Sequence, residues 1–189
     1  MLGFPLGILS AAGAGGVAVS GAYELISTTV LGGTAASVTF SNLGDYSSTY
    51  KHLQVRTLAR VSAATTETLL IRLNGDTGSN YSWHGLSGNG SAVSSFALTS
   101  NSYMGIGIHP GSNSSSNIFG LTVIDFLDTY STTKNKTARS LGGMNGATTT
   151  VRLHSGLWQN TNSLTSIQVF SEASNFIAGS RFSLYGIKG

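Results

Sequence analysis

The stretch at residues 117–127, NIFGLTVIDFL, limits this chain more than any other. On a strand, Ile118, Gly120, Thr122, Ile124 and Phe126 share one face, and Phe119, Leu121, Val123, Asp125 and Leu127 share the other. Both faces are mostly apolar. A near-continuous apolar run of this length reads as a strand covered on both sides. Gly120 and the β-branched residues oppose helix. A central strand with a layer on each side is therefore expected here.

The rest of the chain supplies strands to surround it. From Tyr23 onward, short alternating runs recur between turn signals. Residues 51–61 alternate clearly, with Leu53, Val55, Thr57, Ala59 and Val61 on the inner face. His52, Gln54, Arg56 and Arg60 fall on the outer face, with Leu58 as an exception. Residues 68–74 place Leu69, Ile71 and Leu73 inward, and Asn74-Gly75-Asp76 marks a turn. Residues 42–46, 87–95 and 109–117 read as loops. Residues 134–141 read as a polar edge strand, where Lys is common. Further strands are expected over 149–157, 164–171 and 180–187. The pattern predicts an all-β fold of about ten short strands, a two-sheet β-sandwich of jelly-roll type. A closed barrel is not excluded by pattern alone.

Composition sharpens this picture. Charged residues are only 9 % of the chain, against a usual value of about 25 %. Ser and Thr together number 50, so hydroxyls and backbone amides keep the surface wet. There is no Cys, which excludes disulfides, thiolate metal ligands and Cys nucleophiles. The net charge of +3 rests on scattered Lys and Arg and gives no nucleic-acid footprint. The one cluster, from Lys134 to Arg139, reads as a solvated loop.

Residues 1–21 differ from the rest. No charged side chain precedes Glu24. A signal peptide would carry a basic start, which is missing. Pro5 and the glycines at 3, 7, 13, 15, 16 and 21 make a poor membrane-spanning helix, so no membrane partner is expected. The remaining reading is an apolar arm that orders against a partner. Leu2, Phe4, Leu6, Ile8 and Leu9 would anchor it, ahead of a Gly/Ala hinge. The β-sandwich domain is then residues 22–189.

Chemistry is sparse. Of seven acids only Asp125 and Asp128 lie close in sequence. They could flank a glycosidic bond only if the strand ended between them. The alternative is that Asp128 caps a turn and Asp125 pairs with an Arg or a backbone amide. His52, His84, His109 and His154 show no metal-ligand spacing, and no cofactor or metal is expected. Asn74-Gly75-Asp76 lacks the rest of a calcium loop. The glycines at 13–16 lack a βαβ context, and Ser87–Ser91 is no nucleophile elbow. A non-enzymatic role is expected. Tyr81, Trp83 and Trp158 could stack on sugar rings and bind a glycan. The alternative places Trp83 and Trp158 in the core or at a subunit contact.

Four segments carry a resemblance: MLGFPLGILSAAG at the start, YKHLQVR with RLNGDTGSNY, NKTARSLGG, and AGSRFSLYGIKG near residue 189. Through them nearly the whole chain resembles small virion structural proteins of tailed bacteriophages, especially those of marine and cyanobacterial phages. The resemblance implies a location in the virion and self-association as a homotrimer. It also implies contact with other virion proteins, such as the major capsid protein or tail proteins. Capsid decoration or cementing, or a short capsid fibre, is the expected role. The alternative is a tail or fibre-tip protein that binds a host surface glycan. The resemblance implies no catalytic residue.

Overall fold

Alternating side chains fold the chain into two antiparallel sheets facing one another, shown by a computed structural model that describes residues 22–189. The expected anchoring arm, with Leu2, Phe4, Leu6, Ile8 and Leu9, lies outside the described residues. The strands are β1 (Tyr23–Val30), β2 (Ser37–Phe40), β3 (His52–Ala59), β4 (Glu67–Leu73), β5 (Tyr81–Gly88) and β6 (Val93–Asn101). They continue as β7 (Met104–His109), β8 (Gly120–Phe126), β9 (Lys136–Asn145), β10 (Thr149–Trp158), β11 (Ile167–Ser171) and β12 (Arg181–Ile187). One sheet has eight strands in the order β1-β12-β3-β8-β9-β10-β5-β6, and the other has four in the order β2-β11-β4-β7.

That order contains a jelly roll. With the β5–β6 and β9–β10 hairpins set aside, the eight remaining strands fall into two sheets of four. Numbered along the chain, these run 1-8-3-6 and 2-7-4-5, the interleaving of a jelly roll. Sandwich rather than barrel is thereby decided. The two hairpins are insertions that widen one sheet. The β9–β10 hairpin pairs with β8, and the β5–β6 hairpin pairs with β10.

The core fills the gap between the sheets. Leu53, Val55, Ile124, Phe126 and Leu184 point into it from the wide sheet, and Leu69, Ile71, Leu73 and Val169 from the narrow one. Such side chains contribute roughly 1.5–3 kcal/mol each on full burial. Two glycines let the sheets approach closely. A Cβ on Gly156 would lie 2.3 Å from the Met104 sulfur, and one on Gly105 would lie 2.8 Å from the Trp83 ring.

Several expectations change. The 117–127 stretch supplies β8, but only one face is covered: Gly120, Thr122, Ile124 and Phe126 are buried, whereas Leu121 stays 51 % exposed. The second layer on that side is not present in this chain's described residues. Residues 134–141 are not an edge strand. They enter β9, which lies between β8 and β10. Lys136 is buried there because its ammonium donates to the carbonyls of Ser131, Lys134 and Thr161 at 2.7, 2.9 and 3.2 Å. Arg60 is buried too, not outward. Its guanidinium donates to the carbonyls of Ser114, Ser115 and Ile118, pinning the 110–118 loop to the sheet. Residues 87–95 are mostly strand, with the turn confined to 89–92. Residues 42–46 hold a 3-10 turn, Leu43–Tyr46. The described residues hold twelve strands rather than about ten.

Two buried histidines set a pH dependence. Burial pushes the imidazoles of His109 and His154 down from 6.5 to about 4. Between those values the unfolded chain binds more protons than the folded one, so stability rises with pH. Full stability holds above pH 6.5 and is lost towards pH 4, by up to about 3 kcal/mol per histidine. Urea denaturation at pH 7 and pH 4.5 measures this. His154→Phe should remove roughly half of the difference, and an unchanged difference would rule out this origin.

Candidate functional site

Of the two readings of the aromatic residues, the core placement of Trp83 and Trp158 holds, and Tyr81 joins them. Tyr81, Trp158 and Trp83 are 1 %, 1 % and 8 % exposed. The rings of Tyr81 and Trp158 stack on one another, 6.2 Å between centroids and 16° between planes. The Tyr81 hydroxyl lies 3.0 Å from the backbone N–H of Leu73, whose proton it accepts. Trp158 donates its indole N–H to Asp76 at 2.6 Å. Asp76 also accepts from Gly78 and Asn80, and these bonds hold its carboxyl below the usual carboxylate range against the opposing effect of burial. The turn at Asn74-Gly75, with φ of 53° and 67°, delivers Asp76 to that place. What resembled the opening of a calcium loop is thus the bracket that holds the Trp158 indole.

Trp83 lies where the narrow sheet runs out. Its ring stacks on His154 at 5.9 Å and meets Phe96 edge-on at 5.7 Å. The guanidinium of Arg152 covers the outer side of Phe96, 5.4 Å from the ring centroid. An aromatic and cationic cap closes the inner face there, in place of a covering strand. No face of the three expected aromatics is open to a sugar ring.

The acids are engaged separately. Asp125 accepts from Gln54 at 2.7 Å and from Arg139 at 3.1 Å. Asp128 pairs with Lys134, which holds its carboxyl below the usual range. Asp128 sits at φ 49° in the turn after β8, and its carbonyl accepts from Ser131. His109 and His154 are buried. His84 lies on the outer face of the wide sheet. His52 accepts the backbone N–H of Asp128 at 2.9 Å. Among the described residues no three His, Asp or Glu converge to hold a metal ion.

The feature that stands out is the outer face of the wide sheet. The registers of β3, β8, β9, β10, β5 and β6 align its residues in rows that cross six strands. One row reads Leu58, Leu121, Gly143, Val151, Gly88, Val93. The next reads Arg56, Val123, Leu141, Leu153, Leu86, Ser95. The third is polar: Gln54, Asp125, Arg139, Ser155, His84, Ala97. Leu58, Leu86, Leu121, Leu141, Val151 and Leu153 are each between 44 % and 59 % exposed, and Val93 is 78 % exposed. Each leaves roughly 1 kcal/mol of burial unrealised. The row-to-row alignment spans about 24 Å across the strands. Arg56 is the only charged residue in the two apolar rows, and it rests over the Tyr185 ring at 4.3 Å. Arg56 also donates to Gln54 at 2.7 Å, which links it to the Asp125–Arg139 pair in the polar row.

Sequence pattern held part of this signal. The outward phase of β8 reads as apolar in the sequence, but alternation is local and does not join it to the matching phases of β9, β10 and β5. Only the register brings Leu141, Leu153 and Leu86 beside Val123. Compared with known proteins, the chain matches no family model and no curated protein. Among the described residues, no helix is long and apolar enough to cross a membrane.

The core placement of Trp158 has a measurable consequence. Trp158→Ala should cost about 3–5 kcal/mol of stability through the cavity it leaves. Chemical denaturation measures this, and a loss below about 1 kcal/mol would show that the Tyr81–Trp158 stack is not a core support.

Proposed function

We propose that the chain is a non-enzymatic structural protein of a tailed-phage virion. In this reading it decorates or cements the capsid, or forms a short fibre on it, attached through residues 1–21 and associated as a homotrimer. The observation that carries the proposal is the outer face of the wide sheet: a row-aligned apolar surface on a domain with few charges. A freely diffusing protein seldom keeps such a face wet, whereas an assembly component covers it. A jelly roll widened by two hairpins suits this role because it presents a broad, flat sheet for contact. The resemblance to virion proteins and the charge-free start of the chain point the same way.

A glycan-binding tail tip remains the alternative role. It draws no support from Tyr81, Trp83 and Trp158, which are buried, and would need other contacts.

Deletion of residues 1–21 should leave a soluble, folded domain that no longer attaches to particles. Sedimentation of the truncated protein with purified particles tests this, and undiminished attachment would overturn the anchoring role. Copy number relative to the major capsid protein separates the sites. Hundreds of copies correspond to the shell, and a few to a few tens correspond to the tail or a unique vertex.

A further inference from the structure

We infer that the outer face of β8, β9, β10 and β5 is covered by the same face of a second copy of this chain. The inference deepens the assembly reading above by naming the surface and its occupant. Purified protein tests it and particles test the assembly reading, so either can fail alone.

Strand pattern gives the first reason. The outward phase of a half-buried strand is normally polar. Here Leu121 and Val123 on β8, Leu141 on β9, and Val151 and Leu153 on β10 occupy that phase. The segments of β8 and β10 that hold these residues carry the pattern of strands covered on both sides, with Leu141 of β9 between them, and the narrow sheet covers only the inner side.

Size gives the second reason. The half-exposed Leu and Val side chains offer on the order of 400 Å² of apolar surface. A stable interface takes about 800 Å² from each partner, a little over half of it apolar. The apolar rows, with the Gly, Ser and Thr around them, match one side of such an interface.

Charge gives the third reason, and it selects the partner. A charged partner would have to strip water from its charges against an apolar floor. An identical face brings none into the two apolar rows except Arg56 at one end. The neighbouring polar row carries Asp125 and Arg139 side by side, so it holds both signs of charge and can meet a copy of itself. Two such faces pack as sheets do, about 10 Å apart. The symmetry of a self-complementary face is two-fold, and a higher oligomer adds further contacts to it.

The full chain has no cysteine, so a single Leu141→Cys variant carries one thiol. Its rate of reaction with a maleimide should fall at least tenfold as protein concentration is raised from nanomolar to tens of micromolar. Thr133→Cys, an exposed loop position off this face, should react at one rate throughout. Light scattering of the full chain should give an even multiple of the 19.5 kDa chain mass, two chains for the pair alone or six where the pair joins trimers. Leu141→Glu with Leu153→Glu should halve that mass, to one chain or to three, while circular dichroism stays that of a β protein. Three results would overturn the inference. One is a monomeric full chain. Another is an oligomer whose mass the folded double variant keeps. The third is Leu141→Cys protection that does not vary with concentration, because cover from within the same chain, residues 1–21 included, does not depend on a second copy.

Discussion

The wide sheet has twice as many strands as the sheet that covers it, and most of the structure follows from that mismatch. Eight strands span about 34 Å between the outermost axes, and four span about 14 Å. A sheet buries one face only as far as something lies over it. The narrow sheet, through β7, reaches across β8, β9 and β10 and touches β5. Beyond that line Trp83, His154, Phe96 and Arg152 form a cap from within the wide sheet. The strand past it, β6, is largely exposed on both faces.

Several polar groups drawn inside are held by fixed partners, while Thr57, Thr122 and the Trp83 indole bury polar atoms without one. Among the described residues Lys136 and Arg60 are buried cations; Arg60 donates to three carbonyls of the 114–118 loop, and Lys136 to two before β9 and to that of Thr161 after β10. Buried cations need such partners, because an unmatched charge in a dry interior costs several kcal/mol. Arg60 thereby ties one loop to the sheet, and Lys136 ties two loops together. Asp76 does the same for Trp158, and Glu67 for the turn at Ser171–Ser174. The loops are ordered by a few polar clasps reaching out of the sheets.

Period-2 alternation made the fold class, most strand positions and the inward phases of β3, β4 and β12 legible in the sequence. Alternation is local, and these are local properties. Long-range facts stayed hidden. Arg60 and Lys136 look like surface residues until the carbonyls from 114–118 and 131–161 are brought to them. The 134–141 segment looked like an edge because its polar residues resemble edge protection, yet it is flanked on both sides. The sequence leaves Trp83 and Trp158 open between a sugar-binding surface and the core, and the register places them, with Tyr81, in the core. The apolar outward phase of β8 was visible, but the surface it belongs to is assembled from five other strands.

The interleaved order also sets how the chain must fold. β12 lies between β1 and β3, and β11 lies between β2 and β4. β1 and β2 therefore gain their neighbours only when β12 and β11 have been made. Until then β1 and β2 are bare edges, and loops of more than a hundred residues must close before either sheet is continuous. Such non-local pairing folds slowly and leaves half-built sheets open to wrong partners. Removing β12 would cut the wide sheet in two rather than trim its rim, whereas β6, the exposed outer strand of an inserted hairpin, can be shortened at far less cost.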